Sequence, residues 1–285
     1  MRTRNKYLFI ILYFIIPLQL QAQEDKSIEL NYESVLMKNT ELKSIYSEIV
    51  KDSFYLYIKL PKNYYNENKN YPVLYLLDGD ISFPMATSIV RYQQYGNHIP
   101  DIIIIGIGYG TMMNDNEINL RGRDYNLPEV ERNGLRGGGD KYLAFLKDEL
   151  IPYSESIYRI NSDDRAISGH SLSAQYVIYI LFSEPELFQK YIASSPHTIN
   201  SIDFLLEKEE AILPRLNKLY IKLFISHGAN EPTGLYGDLV FRLLEKINNR
   251  NYKGLSIKNK IFTEGSHFIC PPEAMSYGLK FVYEK

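Results

Sequence analysis

Apolar and polar residues change their rhythm along this chain. In SFYLYIKLP (53–61) they alternate, with Phe54, Leu56 and Ile58 on one face and Tyr55, Tyr57 and Lys59 on the other. A period of two predicts a half-buried strand. PKNYYNENKNY (61–71) is polar and predicts a turn-rich loop. PVLYLLDGD (72–80) starts as a nearly continuous apolar run and stops at Asp-Gly-Asp, and DIIIIGIGYG (101–110) runs into glycines in the same way. Unbroken runs of this kind predict strands covered on both faces, as in a parallel sheet between helices.

Further along, strands and helices alternate. DKYLAFLKDELIPYSESIY (140–158) has helical spacing with Pro152 late in it. RAISG (165–169) predicts a short strand, and LSAQYVIYILFSEPELF (172–188) a helix broken near Pro185. KYIASSP (190–196), LYIKLFISHG (219–228) and LSIKNKIFTEG (255–265) predict strands, whereas GDLVFRLLEKINNR (237–250) and EAMSYGLKFVYE (273–284) predict amphipathic helices. The glycine-rich RNGLRGGGD (132–140) predicts a surface loop, too short for an interdomain tether. Such alternation implies a doubly wound, mainly parallel α/β sheet flanked by helices. No linker divides it, so residues 23–285 are expected to form a single domain.

The first residues follow another logic. MRTRNK is basic, YLFIILYFIIPLQL is apolar and QAQ follows. This order predicts a signal peptide over residues 1–22, cleaved after Ala22, and hence a periplasmic or secreted protein. The apolar run is shorter than the roughly 20 residues that span a bilayer, so no stable membrane span is expected after cleavage.

Composition narrows the partners. A chain of 285 residues with 45% apolar content buries one sizeable core. The formal net charge is -2, which offers no polyanion-binding surface, so nucleic acid is not an expected partner. Cys270 is the only cysteine, which excludes an intrachain disulfide; its apolar setting, HFICPP, predicts burial.

In a parallel α/β sheet, chemistry gathers beyond the carboxyl ends of the strands. There the sequence places ISGHSLSAQ (167–175), one letter short of the G-x-S-x-G turn that presents a nucleophilic serine. Ser171 stands at the nucleophile position, with Gly169 before it and Ser173 in place of the second glycine. The alternative for Ser171 is a helix N-cap. A nucleophilic serine needs a base, and in this chain order the base follows the last strands. Of the five histidines, His267 in EGSHF lies there. His227 is expected to pack locally, His170 to point away from the reacting face, His98 to lie at the surface and His197 to line a pocket. An orienting carboxylate is expected between Ser171 and His267. Glu231 in HGANEPTG is the first candidate and Asp238 the alternative, and the site could also work without an acid. Two backbone N–H groups would stabilise the oxyanion: Leu172 after the serine, and Asp80 in LLDGDIS. No cofactor is expected, and the Asp78/Asp80 spacing is poor evidence for a metal.

These pieces resemble the esterase D family of α/β-hydrolases, which includes enterochelin and feruloyl esterases. The resemblance spans roughly residues 45–283. It rests on YPVLYLLDGD, IIIIGIGY, RGRDYNLP, the long block from GGGDKYLAF through YIASSP, FISHGANE and EGSHF. It implies the α/β-hydrolase fold, Ser171 as nucleophile and His267 as base. Glu231 matches a position where the family acid often lies, and Asp80 and Leu172 match the oxyanion positions. Two features depart from the family: Ser173 in the elbow, and SPHTIN with no tryptophan where Trp-rich pocket segments are common. A different acyl pocket is implied, with His197, nearby tyrosines and Arg123 as candidate lining. For Arg121, Arg123 and Asp124 the first reading is an internal ion-pair network that anchors the loop.

The expected function is a secreted serine carboxylic-ester hydrolase working through an acyl-enzyme. A small-molecule or saccharide-linked ester is the expected substrate, either a siderophore linkage or an acyl group on a polysaccharide. The alternatives are an acyltransferase using the same intermediate, and an inactive ligand-binding protein on the same fold.

Overall fold

The apolar runs become the middle of one sheet. The computed structural model describes residues 36–111, 120–127, 131–132, 135–198, 201–216, 218–250 and 252–284. The strands are β1 (Thr40–Ser47), β2 (Asp52–Lys59), β3 (Tyr71–Leu76), β4 (Ile103–Gly108), the short hairpin β5 (Glu131–Arg132) and β6 (Leu135–Arg136), β7 (Ile160–His170), β8 (Lys190–Ser194), β9 (Ile221–Gly228) and β10 (Leu255–Phe262). All but β5 and β6 form an eight-stranded sheet in the order β1-β2-β4-β3-β7-β8-β9-β10. β1–β2 and β2–β4 pair antiparallel, and every pairing from β4 to β10 is parallel. This is the mainly parallel sheet expected from the alternating pattern, in the α/β-hydrolase arrangement that the family resemblance implies.

Helices cover both faces. α1 (Gly79–Tyr95) and α8 (Cys270–Tyr283) pack on one face, on a core that includes Leu74, Ile104, Ile192 and Phe224. On the other face lie α2 (Arg121–Tyr125), α3 (Gly139–Ala144), α4 (Ile151–Ile157), α5 (Leu172–Ser183), α6 (Ile202–Leu216) and α7 (Asp238–Arg250). Their larger core includes Tyr75, Phe145, Tyr176 and Tyr191. Between α3 and α4 the helix widens into a π turn, Phe145–Leu150, just before Pro152. Proline cannot donate to the preceding turn and its ring crowds the carbonyl four residues back, so the wider turn relieves the clash.

α1, the short α2 and α6 are the helices that the sequence pattern did not assign. In α1, Phe83, Ala86 and Val90 face the core, but Ile81, Tyr92 and Tyr95 point to solvent and Pro84 interrupts the turn. Apolar residues on both faces hide a helical period. The expected signal segment lies outside the described residues. Among those residues, no helix is long and apolar enough to cross a membrane. Cys270 is fully buried, and burial pushes its thiol up to about 11.

Strand order reverses at β3, which has β4 on one side and β7 on the other. The crevice outside such a switch point is where open α/β sheets hold ligands. The turn into α1 and the turn into α5 therefore meet at the carboxyl ends of adjacent strands.

Candidate active site

Ser171 joins β7 directly to α5, with φ 62° and ψ -118°. A non-glycine residue at positive φ is strained, and such strain collects at functional turns. Backbone bonds from both sides hold the turn: Ser171 N–H donates to the Ser194 carbonyl (2.9 Å), while Gln175 N–H (3.0 Å) and His197 N–H (3.2 Å) donate to the Ser171 carbonyl. α5 is buried along every residue from Ser173 to Phe182, so the helix behind the serine is anchored in the core. Gly169 explains the motif: a Cβ there would lie 2.6 Å from the Ser173 carbonyl carbon.

Glu231 and His267 come from the loops after β9 and β10. Those loops are laced together by Ala229 N–H to the Phe262 carbonyl and Asn230 N–H to the Gly265 carbonyl, both 2.9 Å. Gly228 and Gly265 allow the approach, since a Cβ on Gly228 would sit 2.3 Å from the Gly265 oxygen. His267 Nδ1 lies 2.7 Å from Glu231 Oε1. Glu231 is buried, and its other oxygen accepts the Gly228 N–H at 2.9 Å. Burial alone would raise this carboxyl; the bonds from His267 and the Gly228 amide outweigh it and hold Glu231 below its ordinary value. Asp238 opens α7, and its side chain lies outside what is described.

Rings surround the imidazole of His267. Tyr236 stacks on it, with centroids 4.4 Å apart and planes at 30°. The Tyr236 hydroxyl is 3.5 Å from His267 Nε2. His197 meets Tyr236 edge-on at 5.8 Å. His170 corrects the expectation that it points away: its ring centroid is 4.5 Å from that of His267. The reason is the row of side chains shared by β7 and β8, where His170 pairs with Ser194 and its Nδ1 lies 3.0 Å from Ser194 Oγ. Burial pushes the His170 imidazole down to about 4. His227 packs edge-on against Phe241, and His98 is exposed.

Asp80 lies in the first turn of α1, beyond β3, and Leu172 is the first residue of α5. Amides in the first turn of a helix have no intrahelical acceptor, which suits a backbone anion site. The Asp80 carboxylate is turned to other work: it accepts from Tyr57 Oη (2.7 Å), Tyr109 N–H (2.5 Å) and Gly110 N–H (3.0 Å).

Arg123 sits in the ion-pair network that was its first reading, which corrects its candidacy as pocket lining. Its guanidinium pairs with Asp52 and Asp124 and lies over the Phe54 ring, so it ties α2 to the start of β2. The arginine that reaches the elbow is Arg121, whose Nη2 is 3.3 Å from the His170 carbonyl. Tyr236 was missed at the sequence level. Its only signal was an aromatic residue five positions after Glu231, among a chain's 25 tyrosines.

The sheet order and the strained strand–helix turn define an α/β-hydrolase. Residues 47–236 match the putative esterase family, and the chain belongs to it. It is 28% identical over 260 residues to the ferri-bacillibactin esterase BesA of Bacillus subtilis, covering 85% of this chain and 89% of that protein. It is 26% identical over 153 residues to the apo-salmochelin esterase of Escherichia coli, covering 50% and 47%. Among solved structures, the BES protein from Bacillus cereus superposes with a TM-score of 0.78 at 25% identity, covering 90% of this chain and 99% of that one.

Proposed function

We propose that the protein hydrolyses carboxylic esters through an acyl-enzyme on Ser171. One arrangement carries the reading: a serine is held in a strained strand–helix turn, the ring of the preceding residue, His170, lies 4.5 Å from that of His267, and His267 Nδ1 is 2.7 Å from a buried carboxylate. His267 Nε2 takes the Ser171 proton as Oγ attacks the ester carbonyl. Glu231 fixes the tautomer with the proton on Nδ1 and stabilises the imidazolium that forms. The Asp80 and Leu172 N–H groups receive the oxyanion. The C–O bond to the alcohol then breaks, and the alcohol leaves with the proton from Nε2. Water, deprotonated by His267, releases the acid and restores Ser171.

The substrate class we infer is a siderophore ester. BesA and the E. coli esterase are named for siderophores, and BesA matches over most of its length. The basic-then-apolar segment at residues 1–22 supports export to the periplasm or beyond. The test is hydrolysis of p-nitrophenyl acetate and butyrate by the protein, beside Ser171→Ala and His267→Ala, followed by ferric and iron-free trilactone siderophores. Turnover lost in both variants supports the reading. A wild-type protein that neither turns over these esters nor is labelled by a phosphonate on Ser171 refutes it.

A further inference from the structure

The residue that departs from the elbow motif is bonded at several points. Ser173 is fully buried, and its Oγ lies 2.6 Å from Asp78 Oδ2, 2.9 Å from the His170 carbonyl and 2.8 Å from the His170 nitrogen. A hydroxyl carries one proton, and the shorter, charge-assisted contact is the one to Asp78. The Ser173 oxygen then accepts the His170 N–H. A glycine at this position would make none of these side-chain bonds.

Asp78 belongs to the other half of the site. It ends the turn after β3 and caps α1 in a left-handed conformation, φ 54° and ψ 43°. Its carbonyl accepts the Ile81 and Ser82 N–H groups, which sets the first turn of α1 and with it the Asp80 amide. Arg121 closes the circuit: Nε and Nη2 grip the two Asp78 oxygens at 2.7 and 3.1 Å, and Nη2 also reaches the His170 carbonyl. Two residues at positive φ, Asp78 and Ser171, each precede a helix at the carboxyl end of one of the adjacent strands β3 and β7. Ser173 joins them through its hydroxyl, and Arg121 braces the same junction through Asp78 and the His170 carbonyl.

We propose that Ser173 is a positioning residue: its hydroxyl, through Asp78, holds the elbow and the first turn of α1 at the spacing an oxyanion needs. This rests on the ester-hydrolase reading, which it deepens. It explains why a serine stands where the motif has glycine. The tether acts on the two oxyanion amides and makes no contact with substrate, so its loss falls on kcat and leaves KM near its wild-type value.

The test is a pair of variants, Ser173→Ala and Ser173→Gly, which remove the hydroxyl at two side-chain sizes. Three readings are taken: the thermal transition, kcat and KM on p-nitrophenyl butyrate, and hydrogen exchange of the His170 amide. Both variants are expected to fold and to lose roughly 10- to 100-fold in kcat, with KM within about threefold, because small displacements of oxyanion donors have effects of this size. The His170 amide, deprived of its acceptor, is expected to exchange at least about tenfold faster. Ser173→Gly with wild-type kcat overturns the proposal, as does a loss that falls on KM instead. If Ser173→Ala does not fold, Ser173→Gly decides, since glycine is the residue the G-x-S-x-G turn ordinarily carries at this position. A wild-type protein without esterase activity removes the catalytic reading alone. The tether is then judged by exchange: an unchanged His170 amide in the variants overturns it, and a faster one supports it as a link between the two turns.

Discussion

The two arms of the site are built differently. The serine arm is over-determined: Ser171 sits between a central strand and a helix buried from Ser173 to Phe182, and side-chain bonds from Ser173, Asp78 and Arg121 brace it. The base arm rests on loops. His267 is oriented by one short contact to Glu231 and by ring packing, and the residues that follow it, Phe268 and Ile269, are 89% and 62% exposed. A strained backbone persists only where its surroundings over-determine it, which accounts for the bracing of the serine arm. An imidazole must exchange protons without backbone strain, so orientation alone suffices on the other side.

If this contrast is right, breaking the serine arm should damage fold and rate together. Ser173→Leu places a larger apolar side chain in a fully buried site and leaves the His170 amide and Asp78 without their hydroxyl partner. Overpacking and an unsatisfied buried donor together amount to about 3–5 kcal/mol. Urea denaturation should show that loss, and ester turnover should nearly vanish. Wild-type stability or activity in Ser173→Leu would show that the turn is less constrained than its bonds suggest.

Breaking the base arm should reduce the rate and leave the fold near neutral pH largely intact. Glu231→Gln keeps the shape of the acid but removes the charge that selects the His267 tautomer. The expected loss is roughly 10³-fold in kcat, about 4 kcal/mol in the transition state. Full activity in Glu231→Gln would mean that the serine and histidine work without an acid. The variant also checks linkage. Glu231 is held below its ordinary 4.5 in the folded protein. Its charge therefore stabilises the fold above that pH, and the contribution fades as pH falls through the folded value. The wild-type advantage over Glu231→Gln should shrink in acid.

The same difference governs what could be read from sequence. The continuous runs of β3, β4 and β9 and the G-x-S elbow are local signals, so the parallel sheet and the place of Ser171 in it were legible. The loop positions of Glu231 and His267 followed from chain order. The ring packing around His267 was not legible, because Tyr236 reaches it from a second π turn, Thr233–Gly237, and His170 from a strand row far from it in sequence. The hydroxyl bonds of Ser173 were equally hidden, since its partner Asp78 lies 95 residues away. Read from the motif alone, Ser173 is merely a tolerated small residue; in the fold it is a bonded one. The ion-pair network around Arg123 was legible in part: Asp124 is its neighbour in sequence, whereas Asp52 lies 71 residues away.

His170 lies between the two arms, and its protonation should be visible in stability. Burial holds it at about 4 in the folded protein, against 6.5 for an unperturbed imidazole. Between those values the unfolded chain binds a proton that the folded one does not, so stability rises with pH across the window and is fully present above about 6.5. Integrated over the window, the effect is on the order of 3 kcal/mol. Denaturation curves from pH 7 to 4 should be steeper in pH for wild type than for His170→Phe, which keeps the ring against His267. Parallel curves would mean that the imidazole is hydrated or already charged when folded.

The smallest effect tests what holds the base arm. Tyr236 offers His267 two things, a stacked ring at 4.4 Å and a hydroxyl 3.5 Å from Nε2. At that length the hydroxyl contact is weak, whereas ring packing is worth about 0.5–1.5 kcal/mol. Tyr236→Phe keeps the ring and should change kcat by no more than about threefold, while Tyr236→Ala removes the ring and should reduce kcat roughly tenfold. Equal losses in the two variants would move the weight from the ring to the hydroxyl. The base arm would then be fixed by polar contacts, as the serine arm is, and the contrast between them would reduce to the strain at Ser171.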